Sequence, residues 1–195
     1  MTSPGSVGGD DRLRLFLALR LPNDVVQVLS AWAQRTLRGG RILPAEDLHV
    51  TLAFLGSRPA AELPAIVAAL GAAVDSAVPP ELAVGRWRET RSVGMLTLTD
   101  ATGAAASLAA DLHRRLEAMG AYRAESRRWT AHVTVLRFRQ RPRLQPPLPG
   151  VRTFVPSDAA AYLSRLHPSG ARYEVLGSVP LDRKHNEDTV GRSEV

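Results

Sequence analysis

The chain has no cysteine among its 195 residues, which removes disulfides, thiolate metal ligands and a cysteine nucleophile from consideration. Aromatic residues make up only 5%, so the core must be mainly aliphatic. Lysine is nearly missing: of 25 basic residues, only Lys184 is one. No apolar run approaches the roughly 20 residues that span a bilayer. The start, MTSPGSVGGDD, lacks the basic and apolar stretches of a signal peptide. A cytoplasmic protein without a membrane partner is therefore expected.

Hydrophobic residues reach 45% and the net charge is +6, so the composition is that of a folded chain with a basic surface. Arginine forks onto phosphate oxygens, and a basic face attracts nucleic acid. A coding bias towards Arg, Ala, Gly and Pro explains the Arg/Lys ratio equally well. The positive sign is independent of either account.

Residues 1–11 are rich in Gly, Ser and Pro, and 183–195 are mixed in charge; both are expected to be disordered tails around a single folded unit at 12–182. Residues 12–21 alternate: Leu13, Leu15, Leu17 and Leu19 on one face, Arg12, Arg14, Phe16, Ala18 and Arg20 on the other. Pro22-Asn23-Asp24 opens a helix to about Leu37, stopped by Gly39-Gly40. A strand follows at about 48–55, ended by Gly56, and then an alanine-rich helix at about 61–77. Pro79-Pro80 marks the midpoint. A hairpin at 82–88 and 93–99, a helix at about 104–119 and a strand at about 129–138 come next. The proline-rich loop 141–150 leads to strands at about 153–166 and 171–181, joined by a turn at His167-Pro168-Ser169-Gly170. Helices alternating with antiparallel strands make the class α+β.

One short pattern occurs twice, as His49-Val50-Thr51-Leu52 and His132-Val133-Thr134-Val135. Each copy lies in an apolar, β-branched run that reads as a buried strand. Side chains alternate along a strand, so His49 and Thr51 share a face, as do His132 and Thr134. Cleaving a phosphodiester requires one proton removed from the nucleophile and one delivered to the leaving oxygen. Histidine populates both forms near neutral pH, and a hydroxyl beside it can hold a charged non-bridging oxygen. No Asp or Glu lies on either motif strand as a third ligand, so no metal and no cofactor is expected. The two settings suggest an ancient internal duplication.

These segments resemble the two-histidine phosphoesterases, and within them the RNA 2′,3′-cyclic phosphodiesterases, also called 2′-5′ RNA ligases. The resemblance covers about 12–181. It runs through RLFLALRLP (14–22), PAEDLHVTLAFLG (44–56) and HVTVLRF (132–138), and ends with Gly170–Tyr173 and Pro180-Leu181. It implies two pseudo-symmetric lobes of antiparallel-rich sheet with outer helices and a cleft between them. It implies that His49 and His132 are catalytic, that Thr51 and Thr134 bind phosphate, and that Arg137 contacts phosphate or base. Simple alternation puts Arg137 opposite His132, so that role requires a bulge or a strand end. Where the family often has proline before the second histidine, this chain has Ala131.

The implied reaction opens a terminal 2′,3′-cyclic phosphate on RNA to a 2′-phosphate, His49 protonating O3′ and His132 activating water, or the reverse. With the 5′-hydroxyl of an RNA in place of water, the same site is implied to make a 2′-5′ bond. The alternatives are a phosphodiesterase for small cyclic nucleotide phosphates and a non-catalytic nucleotide- or RNA-binding module. A monomer acting on RNA or nucleotide ends is expected. Arg14 and Phe16 are candidate base or RNA contacts, and Trp129 is a stacking platform or a core residue. Arg127 and Arg128 could steer RNA. His113, His167 and His185 read as surface residues.

Overall fold

A computed structural model describes residues 11–124, 128–167 and 170–181. The remaining residues, which include most of the two expected tails, Arg127, His185 and half of the 167–170 turn, lie outside the described residues.

The alternating first segment forms strand β1 (Arg12–Arg20), followed by helix α1 (Asn23–Thr36) and the short strand β2 (Arg41–Ile42). The first motif opens β3 (His49–Pro59), which leads to α2 (Leu63–Asp75). The hairpin is β4 (Leu82–Glu89) and β5 (Val93–Asp100), and α3 (Ala104–Ala118) precedes the second motif in β6 (His132–Arg137). The last hairpin is β7 (Asp158–Arg165) and β8 (Arg172–Pro180). The strands form one eight-stranded sheet in the order β4-β5-β6-β3-β1-β7-β8, with β2 on the far end of β6. Every pairing is antiparallel.

Leu15, Leu17 and Leu19 enter one core with Leu29 and Trp32 of α1, Ile66 and Leu70 of α2, and Leu108 and Leu112 of α3. The opposite face carries a smaller cluster of Phe16, Ala18, Ala160 and Tyr162, with Tyr173 against it. The second face of β1 is thus polar only at its ends, and rings cover its middle. The α+β class with antiparallel sheet and outer helices holds. The motif strands β3 and β6 are neighbours, yet they meet at one residue pair, Val50 opposite Val133.

Three expectations need correction. Gly56 does not end β3. With φ of 67° it takes a left-handed conformation open to glycine, and the strand continues past a register shift to Pro59. The strand expected over 153–166 starts only at Asp158, because Pro156 cannot donate to a ladder and biases its predecessor; Phe154 keeps one bridge to Leu82. His113 is half-buried, stacked on Tyr122 at 4.5 Å, with Nε2 2.8 Å from the Leu52 carbonyl. Among the described residues, no helix is long and apolar enough to cross a membrane.

Candidate active site

Cross-strand register assembles the site. Val50 and Val133 point into the helix-side core, so His49, Thr51, His132 and Thr134 project from the other face of adjacent strands. Continuing the antiparallel register sets Thr51 beside His132 and Thr134 beside His49. The two imidazoles then lie on a diagonal of about 7–8 Å between Cβ atoms. Electrostatics agrees with this proximity, since His132 acts on the protonation of His49.

Both strands bulge at the same place. In β3, Leu17 faces Ala53 and Ala18 faces Thr51, which leaves Leu52 without an opposite residue. In β6, Gly94 faces Leu136 and Met95 faces Thr134, which leaves Val135 unpaired. Each extra residue is the third after its histidine. The bulge reverses the alternation, so Arg137 returns to the face of His132 and Thr134. That is the bulge its role required. By the same shift Phe54 occupies, in the first half, the position of Arg137 in the second.

Donors from elsewhere satisfy the carbonyls at these bulges. Leu52 O accepts from His113 Nε2 at 2.8 Å, and Thr51 O accepts from Trp129 Nε1 at 3.0 Å. Val135 O accepts from the Leu43 N–H at 3.0 Å. The Trp129 indole N–H is therefore committed to β3.

The two histidines differ in environment. His132 places Nδ1 2.8 Å from the Thr130 carbonyl, so Nδ1 carries the proton there and Nε2 is left for chemistry. His49 sits on Phe16 (4.9 Å between centroids), with Tyr173 and Tyr162 at 5.6 and 5.8 Å. Its Nδ1 is buried without a hydrogen-bond partner. Burial among these rings lowers the His49 pKa to about 4. The nearby Asp47 carbonyl opposes the shift, while His132 and Arg137 add to it. Phe16 is only 2% exposed and stacks on Tyr162 at 4.8 Å, so no base can lie on it; it is the floor beneath His49. The base-contact role expected of Phe16 is thereby overturned.

Arg14 is exposed, its guanidinium 5.0 Å from the centre of the Phe54 ring. Phe54 itself is 47% exposed, and its ring is parallel to Phe16 at 6.2 Å. The sequence reading missed Phe54, because plain alternation sends it into the core. Aligning the two motifs, HVTLAF with HVTVLR, would have paired it with Arg137. Loop 141–150 does not cover the histidines. Its 141–144 stretch is pinned to Glu89 of β4, and Pro147 accepts from Trp32 of α1. Among the described residues no group of three His, Asp or Glu could hold a metal ion.

Residues 22–169 match the profile of the 2′-5′ RNA ligase superfamily. The chain belongs to that superfamily. A curated relative, the RNA 2′,3′-cyclic phosphodiesterase of Thermus thermophilus, is 44% identical over 54 residues, 27% of this chain and 27% of that protein. The match thus spans about a quarter of the relative. LigT of E. coli, solved with 3′-AMP, superposes with a TM-score of 0.73 at 23% identity over 87% of this chain and 98% of its own. A solved structure from Thermus thermophilus gives 0.72 at 26% identity, covering 89% and 100%. The E. coli likeness bears on the fold. In this superfamily member the paired motifs, with bulges in matching positions, are the centre of the candidate site.

Proposed function

We propose that the protein is an RNA 2′,3′-cyclic phosphodiesterase that opens a terminal cyclic phosphate to a 2′-phosphate, and that it forms a 2′-5′ linkage when the 5′-hydroxyl of a second RNA replaces water as the nucleophile. The observation that carries this reading is the diagonal of His49 and His132 on one face of adjacent strands, each with a threonine on the same face. Superfamily membership and the partial Thermus relative support it. The polar end of an RNA chain also suits the basic, arginine-dominated composition.

The unequal histidines favour one division of labour over the other. His49 is held neutral by burial, which is the form a general base needs before it takes a proton. His132 has its Nδ1–H on the Thr130 carbonyl oxygen, which orients the ring so that Nε2 can pass a proton to the leaving oxygen. Water loses a proton to His49 and its oxygen attacks phosphorus. The P–O3′ bond breaks and O3′ takes the proton from His132, leaving a 3′-hydroxyl and a 2′-phosphate. The Thr51 and Thr134 hydroxyls donate to the non-bridging oxygens, and Arg137 adds positive charge where negative charge builds. The half-exposed Phe54 ring and the Arg14 guanidinium beside it together supply the surface on which the terminal base stacks.

The test is incubation with 2′,3′-cyclic AMP and a cyclic-phosphate-ended RNA in the presence of chelator, with products identified. A 2′-phosphate product, lost in His49→Ala and in His132→Ala, is the expected result. No turnover of either substrate, or a 3′-phosphate product, overturns the reading.

A further inference from the structure

Two rows of side chains cross the sheet from the site, and they end differently on the two sides. Towards β4, His132 pairs with Thr97 and Thr97 with Arg86; Thr134 pairs with Met95 and Met95 with Arg88. Directly paired residues share a face, so Arg86 and Arg88 lie on the catalytic face, two strand spacings or about 10 Å from β6. Both are exposed. Towards β7 the rows reach Ala18 and Ala160, and the cation there, Arg20, is neutralised by Asp158. On the β7 side the exposed cation nearest the site is Arg14, which lies over the Phe54 ring, whereas towards β4 the rows end in two adjacent exposed arginines.

At the β4 edge the positive charge continues into an open groove of about 1060 Å³ between β4 and loop 141–148, walled by Arg86, Arg88, Arg141 and Arg143. Among the described residues no ion pair holds Arg86, Arg88 or Arg143. The loop is built rather than draped. The Glu89 carboxylate, its side chain 2% exposed, accepts from Arg141 Nε (3.1 Å), Arg143 N (3.0 Å) and Leu144 N (2.7 Å). Arg143 is held left-handed at φ 57°, an unfavourable conformation for a residue with a side chain. The same carboxylate that receives its N–H stabilises it there.

We propose that this edge binds the sugar-phosphate backbone of single-stranded RNA upstream of the terminal phosphate, making the chain selective for RNA ends over free cyclic nucleotides. The inference rests on the proposed phosphodiesterase reading for its catalytic readout. Guanidinium groups fork onto phosphate oxygens. An unpaired arginine tract continuous with a phosphate site suits a chain of phosphates better than a single nucleotide.

The experiment compares the protein with its Arg86→Ala/Arg88→Ala variant on 2′,3′-cyclic AMP and on an RNA of about eight nucleotides ending in a cyclic phosphate. Expected is a loss of about tenfold in kcat/KM on the RNA, with the nucleotide rate unchanged within about twofold. The slope of log kcat/KM for RNA against log salt becomes shallower by about 1.4, at roughly 0.7 per phosphate contact on single strands. An Arg→Lys double variant recovers part of the loss. Equal losses on both substrates, or none on the RNA, overturn the proposal. Should the protein turn over neither substrate, the phosphodiesterase reading fails, and the tract is still decided by fluorescence anisotropy with the same RNA. Weaker binding by the Ala variant then sustains it; equal binding overturns it.

Discussion

Burial and chemistry act on the same ring at His49. In the folded chain it stays neutral down to about pH 4, whereas in the unfolded chain it charges near 6.5. Between those values the unfolded state binds more protons, so stability rises with pH. His49 thus contributes nothing adverse above about pH 6.5, and destabilises as pH falls until the loss levels off near pH 4. The effect is of order 1–3 kcal/mol. Urea melts across that range will show the slope in the parent and a flatter one in His49→Gln; equal slopes would refute the desolvated ring. In the proposed reaction the neutral His49 ring is the base, so its protonation ends activity on the acid limb of a bell-shaped kcat/KM profile. Each His→Ala change should cost about 10²–10⁴-fold, and the residual activity of His49→Ala should lose that limb. Phe54 belongs to the same scale. Its ring is substantially exposed, so Phe54→Ala should leave the melting temperature within a degree or two. Loss of base stacking, about 1–3 kcal/mol, should instead appear as a rise in KM of roughly tenfold or more, kcat being little changed.

The elements decide which side chains can reach the site, and the bulges at Leu52 and Val135 do most of that sorting. Trp129→Phe keeps the ring and deletes the donor to Thr51 O, so a buried carbonyl loses its partner. A destabilisation of about 1–3 kcal/mol follows, with kcat falling more than KM rises because Thr51 is displaced. A kcat at the parental level would assign Trp129 to packing alone. Glu89 plays the corresponding part for loop 141–148. Burial alone would raise its pKa, but the N–H groups of Leu144, Arg141, Trp87 and Arg143 hold it below the ordinary carboxylate range. The loop's anchorage is therefore complete above the ordinary carboxylate pKa and is lost as pH falls through the depressed one. Hydrogen exchange at Arg143 and Leu144 should accelerate in acid, and already at neutral pH in Glu89→Ala.

Helices and motif strands were legible because apolar period and capping residues agree: Pro22-Asn23-Asp24 opens α1, and the β-branched runs around both histidines form β3 and β6. The catalytic face followed from simple alternation over three residues. What alternation could not deliver lies beyond the third residue after each histidine. A bulge there depends on donors distant in the chain, such as His113, Trp129 and Leu43, and carries no local signal. Hence Phe54 drew no notice, the role of Arg137 stayed conditional on a bulge, and Phe16 read as part of a free face, whereas later strands bring Tyr162 and Tyr173 onto it.

The whole molecule depends on how its two halves are joined. The halves that matter are the two parts of the sheet, β4-β5-β6 with β2 and β3-β1-β7-β8; each carries a histidine and a threonine, and their named strands pair only at Val50 and Val133 among the described residues. Both valines are fully buried on the helix side, away from substrate. If turnover needs the imidazoles at a fixed diagonal, fastening this pair should not impair it. The absence of native cysteine makes Val50→Cys/Val133→Cys a clean test. Opposed residues on antiparallel strands have Cβ atoms about 4.5–5.5 Å apart, within small backbone adjustment of disulfide geometry. Closing so long a loop should stabilise by about 4 kcal/mol. The oxidised protein should melt higher and hydrolyse 2′,3′-cyclic AMP at the rate of its reduced form. A rate that collapses on oxidation and returns with reductant would mean that the halves must part to admit substrate or release product, and the single pair would then be a hinge rather than a clamp.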